Sequence, residues 1–161
     1  MGSCKIILGL VFSGIGVCVS FSTFYFFLAA NYHAAVWALI SGILAAIDFH
    51  LLFLHFRRSL SSWHSTSTMK DFEILAVLSL LAGLGAGAWY LFLFFYYQLP
   101  VLPISDSYPI ASVWAFMTAK WGLGLFITVR HLLHELQTSY PSLLSSPSYI
   151  RNRPYYHRLG M

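Results

Sequence analysis

Long apolar stretches separated by short polar segments dominate the pattern of the chain. Four such stretches lie at approximately 5–29, 34–56, 72–97 and 109–133. Each exceeds the about 20 residues that an α-helix needs to cross the hydrocarbon core of a bilayer. The first stretch is also far longer than the apolar part of a secretory signal peptide, so we interpret it as a span. The pattern predicts an all-α integral membrane four-helix bundle.

The polar segments set the predicted boundaries. Residues 1–135 form the predicted four-span transmembrane domain, and 136–161 form a tail rich in Ser, Pro and Tyr with no apolar period. Such a composition predicts an extended or disordered tail. The Ser- and Thr-rich link over 59–70 predicts a solvated turn. Pro100 and Pro103 prevent a helix from continuing between the third and fourth spans.

Composition places the chain in lipid and excludes several classes of site. Apolar residues make up 58% of the chain and charged residues 9%, whereas a soluble domain carries about 25% charged residues. The two cysteines suit neither a disulfide framework nor a zinc site. No His-Glu-x-x-His, Cys-x-x-Cys or Walker-type sequence occurs. We therefore expect neither an enzyme nor a nucleic-acid partner.

The positions of Lys and Arg predict the orientation. The middle link carries Arg57, Arg58 and Lys70, and further arginines follow the fourth span. The other two links, over 30–33 and 98–108, contain no Lys or Arg. Because basic residues remain on the cytosolic side, both termini and the middle link are predicted to be cytosolic. The two links without basic residues then face the lumen or the exterior.

Two ionisable residues, Asp48 and Lys120, lie deep within spans two and four at similar predicted depth. Each would cost about 2.5–3.5 kcal/mol at the helix centre if it faced lipid. A structural ion pair inside the bundle would relieve both costs, and separate solvation in a cavity is the alternative. His50 lies roughly opposite Asp48 on the helix, so the two cannot point into the same narrow cavity.

Small residues recur in span three. Gly83 and Gly87 have the small-xxx-small spacing that allows two helix backbones to approach closely. The spacing fits either a dimerisation seam or contact with a neighbouring helix of the same chain. Since four spans make a thin bundle, we expect a homo-oligomer.

Histidines provide candidate metal ligands, because neutral imidazole binds iron, zinc or copper. Among the seven histidines, His50 alone lies well inside a span. His131 and His134 have i, i+3 spacing, which allows one shared metal ion. His64 is interpreted as a hydrogen-bonding residue at the membrane edge.

Aromatic residues make up 18% of the chain. Tyr96, Tyr97 and Tyr108 gather around the predicted lumenal end, and Trp114 and Trp121 lie in the fourth span. An interfacial aromatic belt explains such residues. Stacking against a flat apolar ligand would use the same residues, so both interpretations remain open.

The segment 107–121 contains Ser-Val-Trp-x-Phe followed after three residues by Lys-Trp. This pattern resembles the start of the fourth span in the heme-responsive-gene family of four-span heme transporters. Weaker similarity occurs at 12–15 and 42–45. The resemblance implies that the chain moves heme from the exterior or the endolysosomal lumen into the cytosol.

The resemblance also implies a set of heme-binding residues. Family members use a His or Tyr in span two, a His in the second lumenal loop and an aromatic and basic motif near the end of span four. His50 is the axial candidate for the heme iron, and Tyr108 is a weaker one because 98–108 lacks histidine. The implied set is His50, Tyr96, Tyr97, Tyr108, Trp114, Lys120, Trp121, Arg130, His131 and His134.

The expected location is the plasma membrane, the endosome–lysosome membrane, or both. Two Tyr-x-x-apolar strings, at 140–143 and 156–159, resemble endocytic sorting signals. Two other functions remain open. One is a non-catalytic membrane scaffold or channel subunit, in which Asp48 and Lys120 lock the bundle. The other is a b-type cytochrome, which requires two facing histidines at one depth, and we predict no equally deep partner for His50.

Overall fold

The computed structural model describes residues 3–98 and 107–144. Its elements in chain order are α1 (Ser3–Phe27), α2 (Tyr32–Phe56), the short α3 (Leu60–Trp63), α4 (Thr66–Tyr97) and α5 (Tyr108–Leu144). These described ranges contain no strand. The four long helices are each long and apolar enough to cross a membrane. The predicted fold class, an all-α four-span membrane protein, is confirmed.

The helices pack in the order α1, α2, α5, α4. Helices α2 and α5 contact each other at the centre, α1 packs against α2, and α4 packs against α5. The two central helices contribute most of the fully buried side chains, whereas α1 and α4 leave most of their apolar residues exposed. The outer helices therefore supply the apolar surface that lipid covers.

One core cluster holds the predicted cytosolic half together. It draws apolar side chains from α2, α4, α5 and the short α3. Its buried members are Leu44, Ala45, Leu51, Leu54, Leu60, Met69, Ala76, Trp121, Leu125, Val129, Leu132 and Leu133.

The middle link is more ordered than the sequence predicts. The interpretation of 59–70 as a solvated turn is wrong, because α3 occupies part of the link and α4 begins at Thr66. Leu60 and Met69 are both buried in the core cluster. Burial of these two apolar side chains stabilises the packing of the link against the bundle. This stabilisation exceeds the preference of the polar residues of the link for solvent.

The helix of the fourth span continues well past the predicted end of the span at 133. Helix α5 extends to Leu144, so the prediction of an extended or disordered tail is wrong for 136–144. The hydroxyl of Thr138 donates a hydrogen bond to the carbonyl of His134, one turn earlier. A helix in water needs no apolar period, which explains why hydropathy missed the extension. The remaining tail, 145–161, and the proline-containing segment 99–106 lie outside the described residues.

The glycines of α4 contact α5 of the same chain. A Cβ atom on Gly83 would lie 2.6 Å from the Ala115 carbonyl oxygen and 2.6 Å from the Ala119 nitrogen. The Ser112 hydroxyl donates a hydrogen bond of 3.0 Å to the Gly87 carbonyl. Of the two interpretations of the small-xxx-small spacing, contact within the chain is therefore confirmed. The homo-oligomer stays a prediction.

Asn31 ties the first hairpin to the start of α5. It is the N-cap of α2, where its side-chain oxygen accepts from the Ala34 N–H at 3.1 Å. Its amide nitrogen donates to the Ser107 carbonyl at 3.1 Å. With only 3% of its surface exposed, Asn31 satisfies two backbone groups away from solvent.

Replacing Asn31 with alanine should lower the stability of the bundle by about 2–3 kcal/mol. The loss combines an N-cap contribution of about 1 kcal/mol with the cost of leaving a buried carbonyl unpaired, about 1–3 kcal/mol. Thermal unfolding of the detergent-solubilised protein measures the change. Asn31→Asp is the matched control, because it keeps the cap and loses the donor, and it should give an intermediate loss. Equal melting temperatures for wild type and Asn31→Ala would contradict the prediction.

Candidate functional site

Lys120 lies in the middle of α5, where its side chain is exposed and its ammonium group contacts two aromatic rings. Its Nζ atom is 4.4 Å from the ring centroid of Phe12 on α1 and 4.5 Å from that of Trp121. Such contacts stabilise a cation by about 0.5–2 kcal/mol. No carboxylate of the described residues forms an ion pair with Lys120. The predicted ion pair between Asp48 and Lys120 is therefore wrong.

Asp48 lies in the α2–α5 contact rather than beside Lys120. It is 6% exposed, and its side chain is hydrogen-bonded to Thr128 on α5. Its Oδ1 atom has no hydrogen-bond partner. The two ionisable groups share a depth, yet α5 presents Thr128 to α2 and Lys120 to α1. This difference in direction around the helix axis keeps them apart.

His50 is exposed on the side of α2 away from Asp48, and the predicted separation of these two side chains is confirmed. Its Nε2 atom lies 3.4 Å from Nε2 of His64, with the ring planes at 87°. The expectation that His50 has no equally deep partner is therefore wrong, because the link folds back toward α2. The ring of Phe72 lies 5.7 Å from that of His64.

The charge state of His64 follows from its surroundings. Partial burial lowers the pKa of His64 below its ordinary value of 6.5, and the neighbouring His50 lowers it further. The neutral imidazole is thus favoured at neutral pH. A neutral imidazole can accept or donate a hydrogen bond and can ligate a metal.

An aromatic cluster occupies the N-terminal ends of α2 and α5. It consists of His33, Tyr90 and Tyr108, whose ring centroids are 5.7–6.2 Å apart. The Tyr90 hydroxyl lies 3.3 Å from His33 Nδ1 and accepts from Trp37 Nε1 at 3.3 Å. Of the three tyrosines predicted from sequence, Tyr108 alone joins this cluster.

Tyr90 was not predicted, although a signal for it exists. Gly83, Gly87 and Tyr90 follow the i, i+4, i+7 spacing of one helix face, and that face packs on α5. Continuing the glycine seam by one turn would have placed Tyr90 against the start of α5. His33 has no comparable signal, because its position depends on how the first hairpin packs against α5.

Tyr96 and Tyr97 stand apart from this cluster. Both are exposed, their rings are 5.0 Å apart, and Tyr96 stacks on Phe92 at 5.4 Å. Their position at the end of α4 fits an interfacial belt.

The basic residues near the end of the fourth span have acidic partners. Arg130 Nε donates to Glu73 Oε1 at 2.8 Å. His131 Nδ1 lies 3.4 Å from Glu135, whose other oxygen lies 3.5 Å from His55. His134 is exposed on the outer side of α5.

The two tryptophans of α5 differ in their surroundings. Trp121 is 5% exposed and packs over Gly16 of α1, where a Cβ atom would overlap the indole ring. Its ring centroid is 5.5 Å from that of Phe12. Trp114 is half-buried, and its carbonyl accepts a hydrogen bond from Thr118. Trp121 is thus both a packing residue and one wall of the Lys120 environment.

Residues 70–121 match a family model described as "Haem-transporter, endosomal/lysosomal, haem-responsive gene". The match confirms the resemblance to the heme-responsive-gene family. The matched segment runs from the first turns of α4 through Lys120 and Trp121, and it includes Tyr90 and Tyr108. No curated protein and no solved structure matches the chain. The heme-responsive-gene description indicates a heme transporter, with heme as its substrate, in agreement with the multi-pass membrane fold.

Proposed function

We propose that the protein moves heme from the exterior or the endolysosomal lumen into the cytosol, with both termini cytosolic. Support comes from the family match over 70–121 and from the distribution of Lys and Arg among the links. The transported molecule is a flat apolar disc with two anionic propionates and an iron that accepts axial nitrogen or oxygen ligands. Each of these features has a counterpart among the described side chains.

Lys120 carries the proposal. A cation in the middle of a span is costly when it lacks a carboxylate or water, and Lys120 has aromatic rings as its described neighbours. A propionate would supply the missing negative charge in a charge-assisted hydrogen bond. The rings of Phe12 and Trp121 would then contact the apolar porphyrin. The arrangement suits heme better than it suits a purely structural lysine.

His33 and Tyr90 complete a candidate receiving site at the predicted lumenal end. The hydrogen bond between Tyr90 and His33 Nδ1 orients the imidazole, as hydrogen-bonding partners of metal-binding histidines do. His33 is exposed, so its Nε2 side is available to iron. It would take the role of the lumenal-loop histidine that the link over 98–108 lacks. Tyr108 remains the tyrosine candidate beside it.

The path toward the cytosol follows the outer side of α5. Lys120, Ile127 and His134 lie on one helix face, and Ile127 is 60% exposed. A Cβ atom on Gly124, on the same face, would meet nothing within 4 Å. Arg130 and His131 would attract the propionates only after exchanging their carboxylate partners, Glu73 and Glu135. Weak successive contacts of this kind favour release over retention.

Uptake of a fluorescent heme analogue by cells tests the proposal. Lys120→Ala should reduce uptake about tenfold or more at normal surface expression, since a hydrogen bond to a charged group contributes about 1.5–3 kcal/mol. Lys120→Arg should retain much of the activity. Lys70→Ala, which removes an exposed lysine at the start of α4, is the matched control. Unchanged uptake by Lys120→Ala would remove Lys120 from the heme path, and no uptake by the wild type above that of untransfected cells would overturn the proposal and favour the scaffold or channel subunit.

A b-type cytochrome is the second candidate, because His50 and His64 provide two imidazoles at one depth. A cytochrome retains its heme through purification and cycles between oxidation states. A transporter binds heme reversibly. Dialysis of the heme-loaded protein against a heme-binding acceptor separates the two, since retention of a redox-active heme would favour the cytochrome.

A further inference from the structure

The middle link brings His64 to the side of α2. Leu60 anchors the link in the core, and the backbone N–H of His64 donates to the Leu60 carbonyl at 3.0 Å. His64 itself is extended, with φ −128° and ψ 129°. The next residue, Ser65, caps α4 by accepting from the Thr68 N–H at 3.3 Å. Ordered contacts on both sides thus fix the backbone of His64 opposite His50.

The two imidazoles are close to the spacing that one metal requires. Their Nε2 atoms are 3.4 Å apart, whereas two histidine nitrogens on opposite sides of one metal lie about 4 Å apart, given metal–nitrogen bonds of about 2.0–2.1 Å. A small outward movement of His64 would therefore admit a metal between them. Without a metal between them, the two Nε2 atoms are hydrogen-bonded to each other.

The surroundings favour heme iron over a bare metal ion. The described residues hold no group of three or more His, Cys, Asp or Glu that could bind a metal. A bare ion would lack ligands here, but a porphyrin supplies four nitrogens and leaves only two axial positions to fill. His50, Phe53 and Arg57 follow the i, i+3, i+7 spacing of one helix face, and the Arg57 guanidinium lies 5.8 Å from the Phe53 ring centroid. That face offers an iron ligand, an apolar ring and a cation for a propionate.

We propose that His50 and His64 bind heme iron together, as a bis-imidazole site on the predicted cytosolic half of the protein. The site rests on the proposed function, because it assigns the last iron ligands before release. Contacts on both sides hold the backbone of His64, so its imidazole can leave the iron by side-chain rotation while the bundle stays intact. Binding and release of heme then require movement of one side chain.

Titration of the purified full-length protein with ferric heme, followed by absorption and electron paramagnetic resonance spectra, tests the site. The wild type should give a low-spin, six-coordinate spectrum. His50→Ala and His64→Ala should each give a high-spin, five-coordinate spectrum and weaken binding by at least about tenfold. His55→Ala is the matched control, since His55 is a histidine on the same helix as His50 that lies 3.5 Å from Glu135, and it should keep the wild-type spectrum.

His64→Gln separates ligation from structure. Glutamine can hydrogen-bond to His50 but does not ligate heme iron, so this variant should keep the wild-type melting temperature and lose the low-spin spectrum. A low-spin spectrum in both His64 variants, or a high-spin spectrum in the wild type, would overturn the site. If the wild type takes up heme in cells and the site fails, the proposed function survives. If the low-spin site forms and the wild type takes up no heme, the transport proposal fails alone.

Discussion

Replacing Gly83 with leucine will separate α4 from α5 and leave little folded protein. The Gly83 position has no room for a side chain, because a Cβ atom would already lie 2.6 Å from two backbone atoms of α5. Backbone cannot move aside as a flexible side chain can. Inserting bulk into a packed interior typically costs about 1–3 kcal/mol, and here the two helices themselves must part, so we expect a loss at the upper end or beyond.

Gly85 provides the matched control for Gly83. It lies on the same helix, and a Cβ atom there would meet nothing within 4 Å. Fluorescence-detected size-exclusion chromatography should show a monodisperse peak for Gly85→Leu and an aggregated or absent peak for Gly83→Leu. A monodisperse Gly83→Leu protein with the wild-type melting temperature would show that the α4–α5 seam does not form as described.

Replacing Trp121 with alanine will lower both stability and heme uptake. Removing a buried tryptophan leaves a cavity that typically costs about 3–5 kcal/mol, and Trp121 is 5% exposed. The same substitution removes the indole ring beneath the Lys120 ammonium and the packing against Gly16 of α1. Lys120 would then lose a group that holds it in position.

Two further variants separate the two effects of Trp121. Trp121→Phe should keep part of the packing and of the ring contact, and it should recover more stability than Trp121→Ala. Trp89→Ala is the control, because Trp89 is 59% exposed on α4 and its removal should leave both thermal unfolding and uptake close to wild type. If Trp121→Ala and Trp89→Ala melt at the same temperature, Trp121 does not fill the core as described.

The sequence predicts the spans well because the bilayer imposes a minimum apolar length. The same reasoning fails wherever a helix leaves the apolar region. Helix α5 continues to Leu144 through polar residues, and α4 begins at Thr66 in a Ser- and Thr-rich segment. A hydropathy profile identifies the segments that are apolar enough to lie in lipid. It does not show whether a helix continues beyond such a segment into water. Span centres were therefore predictable, and helix ends were not.

The depth of the candidate site residues along the helices was predictable from the sequence, but the directions in which their side chains point were not. Asp48 and Lys120 occupy similar depths, but which helix each one faces depends on the rotation of α2 and α5 about their axes. The separation of Asp48 and His50 was predictable because it is internal to one helix. The pairing of His50 with His64 depends on Leu60 and Met69 folding the link back against the bundle, a tertiary effect that local sequence does not report.

The length of α5 has a mechanical consequence. At about 1.5 Å per residue, the helix extends about 12 Å from Leu136, the last residue of the candidate membrane span, to Leu144. Because α5 is one uninterrupted helix, a change in the tilt or rotation of its end would be transmitted along the axis to the part that carries Lys120. A protein that binds the end of α5 beyond Leu136 would therefore act on the same helix that carries Lys120.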